Sequence, residues 1–552
     1  MNRGGAAACD DSVRFPEGSR REWLMAASAA AFAALYLLYF VPYDALHSDE
    51  GIGLEAAQRI LRGQVMYRDF SCFLTPGSSY WLALLFRLFG NSIRTAHAAL
   101  VAYGAVFAAV TYLLSRRVAS RSYSLLAASI VVLAALPFRF MMLHNWDSTL
   151  LALLAFYAAV GWWQRPTRLA ALAAGSLTAL TFLFNQAKGA GLVLGWLLAW
   201  MLLARNEGWR WRWSPAQARS FAAGLATPLA GVFVFFTAHR SVTLMWRAWF
   251  WPLYHYRSPN ACPYGFFPPG PNGQTIFSAP HLAAQILIGL LLSPLLVVDL
   301  LPWLAVAVAA FQLAHCRPAA PRGRRRAYFA LLSGLMSGSL LGLLATNRPG
   351  GAELLMDFPL YAPALAWIWD RPPGSRWRRW MPALALLGGL AFTGLGMAWL
   401  QMRHAAGAPI LTRRGQIVAP AQDAIMAFLN SHTSPGEATY IYPYQPIYYF
   451  LTATRNPTRY DFLALGMHSN RQYRRAVREL QRRPPRFVLF DLEFYAQNGA
   501  DWPAIAPSAL AHFTPVEDYL LRNDRVCGRL LGATGWTYLL LTPRHLVCPA
   551  TL

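Results

Sequence analysis

Apolar runs of membrane-spanning length, separated by short arginine clusters, constrain this chain more than any other feature. The first run, Trp23 to Val41, follows Arg20 and Arg21 and is long enough to cross a bilayer, so it reads as a retained span and not as a cleaved signal. Arginines recur after every second apolar run: Arg116/Arg117/Arg121, Arg165/Arg168, Arg205/Arg210/Arg212/Arg219, Arg317/Arg322/Arg324/Arg325/Arg326 and Arg371/Arg376/Arg378/Arg379. Cytoplasmic loops carry such excesses of positive charge, which fixes the threading. Spans then fall near 23–43, 95–115, 122–137, 148–164, 169–185, 189–204, 220–238, 294–315, 328–346, 354–370 and 381–400. About eleven crossings put the N-terminus inside and the C-terminus outside.

Composition agrees. Charged residues make up 13% of the chain and hydrophobic ones 56%, whereas a soluble chain is about a quarter charged. A net charge of +24 would suggest nucleic acid in a soluble protein. Here the arginines are confined to loops between apolar runs, so no nucleic-acid partner is expected. Twenty-one Trp and twenty-four Tyr suit many membrane–water interfaces. None of the six cysteines forms a CxxC or zinc-ligand spacing.

Two regions depart from simple threading. Residues 281–315 are too long for one span, so 281–292 reads as an interfacial or re-entrant helix. Residues 354–370 contain Pro359 and Pro363 and should kink. The external loops are long, at 44–94 and 239–280, while the cytoplasmic ones are short and basic, so the working face should be external. Within the first loop, Tyr80–Phe89 is apolar but too short to span and suits a helix lying in the interface.

Beyond about residue 401 the chain reads as soluble protein. Gln422–Leu429 and Arg471–Gln481 read as amphipathic helices. Thr439–Tyr442, Tyr448–Leu451, Phe487–Phe490 and Trp536–Leu541 read as strands. The expected architecture is an α-helical polytopic membrane domain over 1–400 followed by a small α/β domain over 401–552.

The residues richest in chemistry follow the first span: His47-Ser48-Asp49-Glu50-Gly51, Arg59, Arg62-Gly63 and Tyr67-Arg68-Asp69-Phe70. Adjacent carboxylates at a membrane boundary must meet solvent, a cation or a substrate hydroxyl, because burying them alone is costly. They serve either as a solvated helix cap or as a general base for an acceptor hydroxyl.

The Asp49-Glu50 pair, the Arg62-Gly63…Tyr67-Arg68-Asp69-Phe70 segment and the Thr75-Pro76-Gly77-Ser78-Ser79-Tyr80-Trp81 run into Phe89-Gly90 resemble the first external loop of GT-C glycosyltransferases. The nearest group contains the dolichyl-phosphate-mannose–protein mannosyltransferases and the bacterial aminoarabinose–lipid A transferases. The resemblance is clearest over roughly residues 20–200. It implies a membrane glycosyltransferase of the bacterial inner membrane, working on the periplasmic face. Such an enzyme moves a sugar with inversion from a polyprenyl-phosphate donor to a hydroxyl on an envelope glycan, lipid or protein.

The resemblance also implies site roles. Asp49 matches the catalytic base, with Glu50 beside it. Asp147, in His144-Asn145-Trp146-Asp147-Ser148, matches a second acid, although an Asp before a helix also serves as an N-cap. Lys188, the single lysine of the chain, matches a Lys-Gly element suited to a donor phosphate. A snorkelling interfacial anchor is the plainer alternative. Arg348 matches a phosphate-binding arginine, but no histidine follows it as in relatives, and Glu353 is its nearest polar neighbour. Tyr67, Arg68, His144 and Arg257 complete the expected substrate-contacting set. In the long second loop, His239, Arg240, Arg247, His255 and Arg257 with Trp249, Trp251, Tyr254 and Tyr256 could cover a sugar or form an interfacial belt.

No cofactor is required by this reading. Asp49, Glu50 and Asp147 could approach a divalent cation, as in oligosaccharyl-transferring relatives, though closer relatives need not use one. Cys72–Cys262 and Cys527–Cys548 are both candidate disulfides in an oxidising compartment. A transporter or lipid flippase is the alternative from another class. It would show internal symmetry and broken helices, which the sequence lacks. A non-catalytic GT-C-like protein is the other.

Overall fold

The structure is a computed structural model that describes residues 19–206, 214–265, 293–315, 324–370, 407–464, 466–491, 494 and 514–550. The apolar runs form helices: α1 (Arg20–Leu38), α4 (Ile93–Ser115), α5 (Arg121–Ile130), α6 (His144–Gln164), α7 (Arg168–Phe184), α8 (Gln186–Asn206) and α9 (Pro215–Ala238). They continue as α11 (Ser293–His315), α12 (Arg324–Ala345) and α13 (Gly351–Trp369). Among the described residues four helices are long and apolar enough to cross a membrane: Ile93–Ser115, Gln186–Arg205, Pro215–Ala238 and Ala327–Ala345. The expected span at 381–400 and the re-entrant segment at 281–292 lie outside the described residues. The helix at 351–369 runs on through both Pro359 and Pro363.

Burial separates inner from outer helices. The apolar window of α12 is 83% buried, whereas that of α9 is only 17% buried, so α9 turns most of its apolar surface outward. Helices α8 and α12 cross closely through glycines. A Cβ on Gly191 would stand 2.7 Å from the Cα of Gly342, and one on Gly195 would stand 3.0 Å from the Cα of Leu335. Small residues spaced four apart let backbones approach where no water drives packing.

The loop between α1 and α4 folds into two helices, α2 (Ser48–Leu61) and α3 (Gly77–Phe89), with α3 where the interfacial helix was expected. After α9, the short helix α10 (Val242–Trp251) carries the aromatic stretch of the second loop.

The C-terminal segment is α/β, as read from the sequence. A hairpin of β1 (Ala408–Thr412) and β2 (Gly415–Ala419) docks just past the end of α1, where the Val418 amide donates to the Pro42 carbonyl at 2.9 Å. Helices α14 (Ala424–His432), α15 (Ile447–Leu451), α16 (Asn470–Arg482) and α17 (Pro515–Asn523) accompany a mixed sheet. That sheet has β3 (Thr439–Tyr442), β4 (Phe487–Asp491), β5 (Asp524–Leu531) and β6 (Thr537–Pro543) in the order β3-β4-β6-β5. Only β3 and β4 run parallel. Tyr448–Leu451, expected as a strand, is instead part of α15. A short apolar, aromatic run fits either form, and here all five residues of the turn are buried against neighbours. Cys527 and Cys548 form a disulfide, whereas Cys72 and Cys262 are free thiols.

This segment clamps α2. A Cβ on Gly51 would lie 2.7 Å from the Cα of Ile447, so only glycine permits the approach of α2 to α15. Arg59 pairs with Asp461 at 2.6 Å and donates to the Thr458 carbonyl at 3.1 Å. Arg459 donates to the Tyr67 carbonyl at 2.7 Å.

Candidate active site

Helix α2 begins at Ser48, with His47 as its N-cap, so Asp49 and Glu50 occupy the first turn, where the helix dipole favours negative charge. Successive helical residues point about 100° apart, and the two acids diverge. Glu50 turns inward, is 1% exposed, and accepts the Met142 amide at 2.7 Å with His97 Nε2 at 3.2 Å. Asp49 turns outward, its side chain 47% exposed. Of the pair expected to act together, only Asp49 can meet a substrate.

Three groups hold Asp49. Tyr444 Oη donates to Asp49 Oδ1 at 2.5 Å. His47 Nδ1 lies 3.8 Å from Asp49 Oδ2. Arg139, on a short turn at Pro137–Arg139, donates from Nη1 to His47 Nε2 at 3.1 Å. A guanidinium only donates, and the Asp49 backbone amide also points at the ring, 3.2 Å from Nδ1, so both ring nitrogens of His47 face donors. Desolvation keeps His47 below its ordinary range, against the pull of Asp49. For Asp49, desolvation acts to raise its pKa. His47, Arg139, the Tyr444 hydrogen bond and the charge of Arg348 together outweigh it, so the carboxyl stays below its usual range. Asp49 is therefore an ionised, half-exposed carboxylate within the field of two arginines.

The other expected residues divide into two groups. His144, the first residue of α6, lies within electrostatic reach of both Asp49 and Lys188. Arg348 reaches Asp49 by its field, while Nη1 donates to Asn260 Oδ1 at 3.2 Å and Nε faces Glu353 at 3.5 Å. Lys188 is buried beneath this surface. Its Nζ pairs with Asp357 Oδ1 at 2.5 Å and donates to Thr149 Oγ1 at 2.6 Å and to the Asn145 carbonyl at 3.2 Å. That is an internal ion pair, not an interfacial anchor. Asp147 is 2% exposed and accepts from Tyr103 Oη at 2.6 Å. It is not the helix cap, because the cap position is Leu143 and has no side-chain cap bond.

Tyr67, Arg68 and Arg257 have partners other than Asp49 among the described residues. Tyr67 is buried at positive φ, donates to the Leu74 carbonyl at 2.7 Å and accepts from Trp249 Nε1 at 2.9 Å. Arg68 pairs with Asp69 at 2.9 Å. Arg257 is exposed. Tyr67 nevertheless lines a cavity of about 230 Å³ between α2, α10 and the C-terminal segment, with Ile52, Phe73, Trp251, Arg459 and Phe462. Ile52 lies one turn beyond Asp49, and Phe462 stacks edge-on against Tyr444 at 4.9 Å. The cavity thus adjoins the carboxylate through Tyr444.

Sequence reasoning missed Arg139, Tyr444 and Asp357. Tyr444 lies in an aromatic stretch that reads as core, and most of its neighbours there are indeed buried. Asp357 had a signal: an acid inside an otherwise apolar helix requires a partner, and the single lysine is the obvious one.

No protein-family model and no curated protein sequence matches the chain. Solved structures do. The chain is similar to ArnT from Cupriavidus metallidurans bound to undecaprenyl phosphate, at 12% identity and a TM-score of 0.53, over 96% of this chain and 100% of that one. It is also similar to the archaeal oligosaccharyltransferase AglB from Archaeoglobus fulgidus, in complex with an inhibitory peptide and a dolichol-phosphate. There the identity is 11% and the TM-score 0.50, over 97% of this chain and 76% of that one. At these identities the likeness is one of fold. The chain has the GT-C fold that both transferases share.

Proposed function

We propose that this protein is a membrane glycosyltransferase that takes a sugar from a polyprenyl-phosphate donor and passes it to an acceptor hydroxyl on the external face. The observation that carries the reading is the half-exposed Asp49 carboxylate, set between His47, Arg139 and Tyr444 at the start of α2. The fold supports it, since both similar structures hold a polyprenyl phosphate.

In the proposed step the acceptor oxygen attacks the anomeric carbon. Its proton passes to Asp49, and the bond from that carbon to the phosphate oxygen breaks, leaving the lipid phosphate with an added negative charge. Attack opposite the leaving group inverts the anomeric centre. Arg139 and Arg348 are the cations near Asp49 that can receive the developing charge. Lys188 sits deeper and is neutralised by Asp357, so its part is to set the local field and hold α6, α8 and α13 together. The cavity beside Tyr444 is offered to the acceptor. About eleven crossings, with the C-terminal segment in the periplasm of a bacterial inner membrane, complete the reading.

The test uses the full chain in proteoliposomes with a panel of polyprenyl-phosphate-linked sugars and a crude envelope acceptor fraction. Acceptor-dependent release of free polyprenyl phosphate from at least one donor is expected. Sugar-lipid crossing the bilayer intact, without release, would establish the flippase alternative instead.

A further inference from the structure

Behind Asp49 lies a second cluster that the proposed transfer does not use: Asp44, Glu50 and His97. One ligand atom from each lies within 4.8 Å of the others, and all three residues are buried. They come from three elements, namely the chain just after the first span, the start of α2 and the external end of α4.

The hydrogen bonds leave a conflict at the centre of this cluster. His97 Nδ1 faces the Val41 carbonyl at 2.9 Å. A carbonyl only accepts, so Nδ1 carries the hydrogen and a neutral ring presents the Nε2 lone pair. That lone pair points at Glu50 Oε1, 3.2 Å away, which already accepts the Met142 amide. Protonating Nε2 would relieve the clash, but a neutral cluster in this dry interior would then need a proton on Asp44 as well. Asp44 is also incompletely satisfied. Its Oδ1 accepts the Leu46 amide at 2.6 Å, while Oδ2 is buried with no hydrogen-bond donor among the described residues.

A divalent cation resolves all three features. Two carboxylates and a neutral imidazole balance its charge, Nε2 finds an acceptor for its lone pair, and Asp44 gains a partner. The geometry agrees: with ligand bonds of about 2.0–2.1 Å, the edge of a tetrahedral zinc site is about 3.3 Å, close to the Glu50–His97 separation. A ligating histidine also typically donates its other ring N–H to a backbone carbonyl, as His97 does to Val41. We propose that Asp44, Glu50 and His97 form a three-ligand site for a divalent transition ion of the zinc class, which pins the first span and α4 to the start of α2 and so fixes Asp49.

The full chain in detergent is assayed for metal by mass spectrometry, then stripped with a chelator and titrated with Zn2+. About one equivalent of metal per chain is expected. Tm should fall on stripping and recover on adding Zn2+ alone. Asp44→Asn and His97→Gln should each weaken Zn2+ binding at least ~100-fold. If either variant fails to fold, the stripping and refilling of the wild-type chain still decides. A wild-type chain that is metal-free as purified, with a Tm indifferent to both chelator and Zn2+, overturns the proposal. None of these readouts depends on glycosyl transfer, so a failure here leaves the proposed function standing, and the reverse also holds.

Discussion

The phenol of Tyr444 donates a 2.5 Å hydrogen bond to Asp49 Oδ1, joining residues 395 positions apart in the chain. The loop between α1 and α4 supplies the carboxylate, and the C-terminal segment supplies the phenol that bonds to it. Ser48 and Gln445 make a further side-chain contact at the same junction, and Gln445 Nε2 donates to the Leu46 carbonyl at 3.3 Å. The C-terminal segment therefore packs directly on the candidate site.

Tyr444→Phe keeps the ring that packs against Phe462 and removes only the hydroxyl. A hydrogen bond to a charged group contributes about 1.5–3 kcal/mol. Losing it should lower kcat roughly tenfold or more while KM for donor changes little, because the bond orients the base and does not hold the lipid. Steady-state kinetics with a saturable donor checks this. A rise in KM at constant kcat would place Tyr444 in substrate binding instead.

Lys188 and Asp357 are 6% and 3% exposed in their side chains, and they pair at 2.5 Å. Removing one partner strands a buried charge, at a cost of about 3–5 kcal/mol. Lys188→Met and Asp357→Leu should each lower Tm sharply, and the double variant should regain most of the loss. Thermal unfolding in detergent reads all three. Additive losses would show that the two residues act independently.

Gly51→Ala tests the contact of α2 with α15. The added methyl meets backbone at Ile447, which cannot move aside as a side chain tip can. Overpacking of this kind costs about 1–3 kcal/mol. Because α2 carries Asp49, activity at temperatures where the variant remains folded should also drop. A fully active Gly51→Ala would mean that the position of α2 on the C-terminal segment does not matter.

Much of the site was legible in the first loop because its residues are neighbours in sequence. His47, Asp49 and Glu50 stand in one helical turn, and a resemblance carried by a short segment is enough to find them. That the two acids would face opposite ways follows from helical geometry, but which one would be buried depends on His97 and Met142, and periodicity in α2 does not reveal them. Arg139 and Tyr444 were hidden for the same reason, since their partner is distant in the chain. In the C-terminal segment, β3, β4 and β6 follow from their apolar, β-branched and aromatic runs. Ile447–Leu451 does not, because a short, fully buried aromatic run fits helix or strand equally by periodicity. The bonded cysteines are those 21 residues apart, linking β5 to the tail after β6.

Glu55 provides a pH-dependent test of the α2 junction. It is fully buried, and burial, with the charge of Asp461 and against the pull of Arg59 and Arg62, lifts its pKa from 4.5 to about 7. A carboxyl with a raised folded pKa binds a proton on folding between those values. The contribution of Glu55 to stability should therefore be greatest below about pH 4.5, fall as pH rises, and level off above about 7. Glu55→Gln should flatten that decline in Tm measured across pH 5 to 8. An unchanged slope in the variant would assign the pH dependence to another group.

The central claim is that Asp49 removes the acceptor proton, and it is tested most directly by measuring binding and turnover on the same preparation of Asp49→Asn. The side chain is half exposed and its replacement is isosteric, so the variant should fold, keep the wild-type Tm and bind polyprenyl phosphate with nearly unchanged Kd. General-base catalysis contributes about 10²–10⁴-fold, and release of lipid phosphate from donor should fall by that factor. A variant that turns over at the wild-type rate contradicts the account.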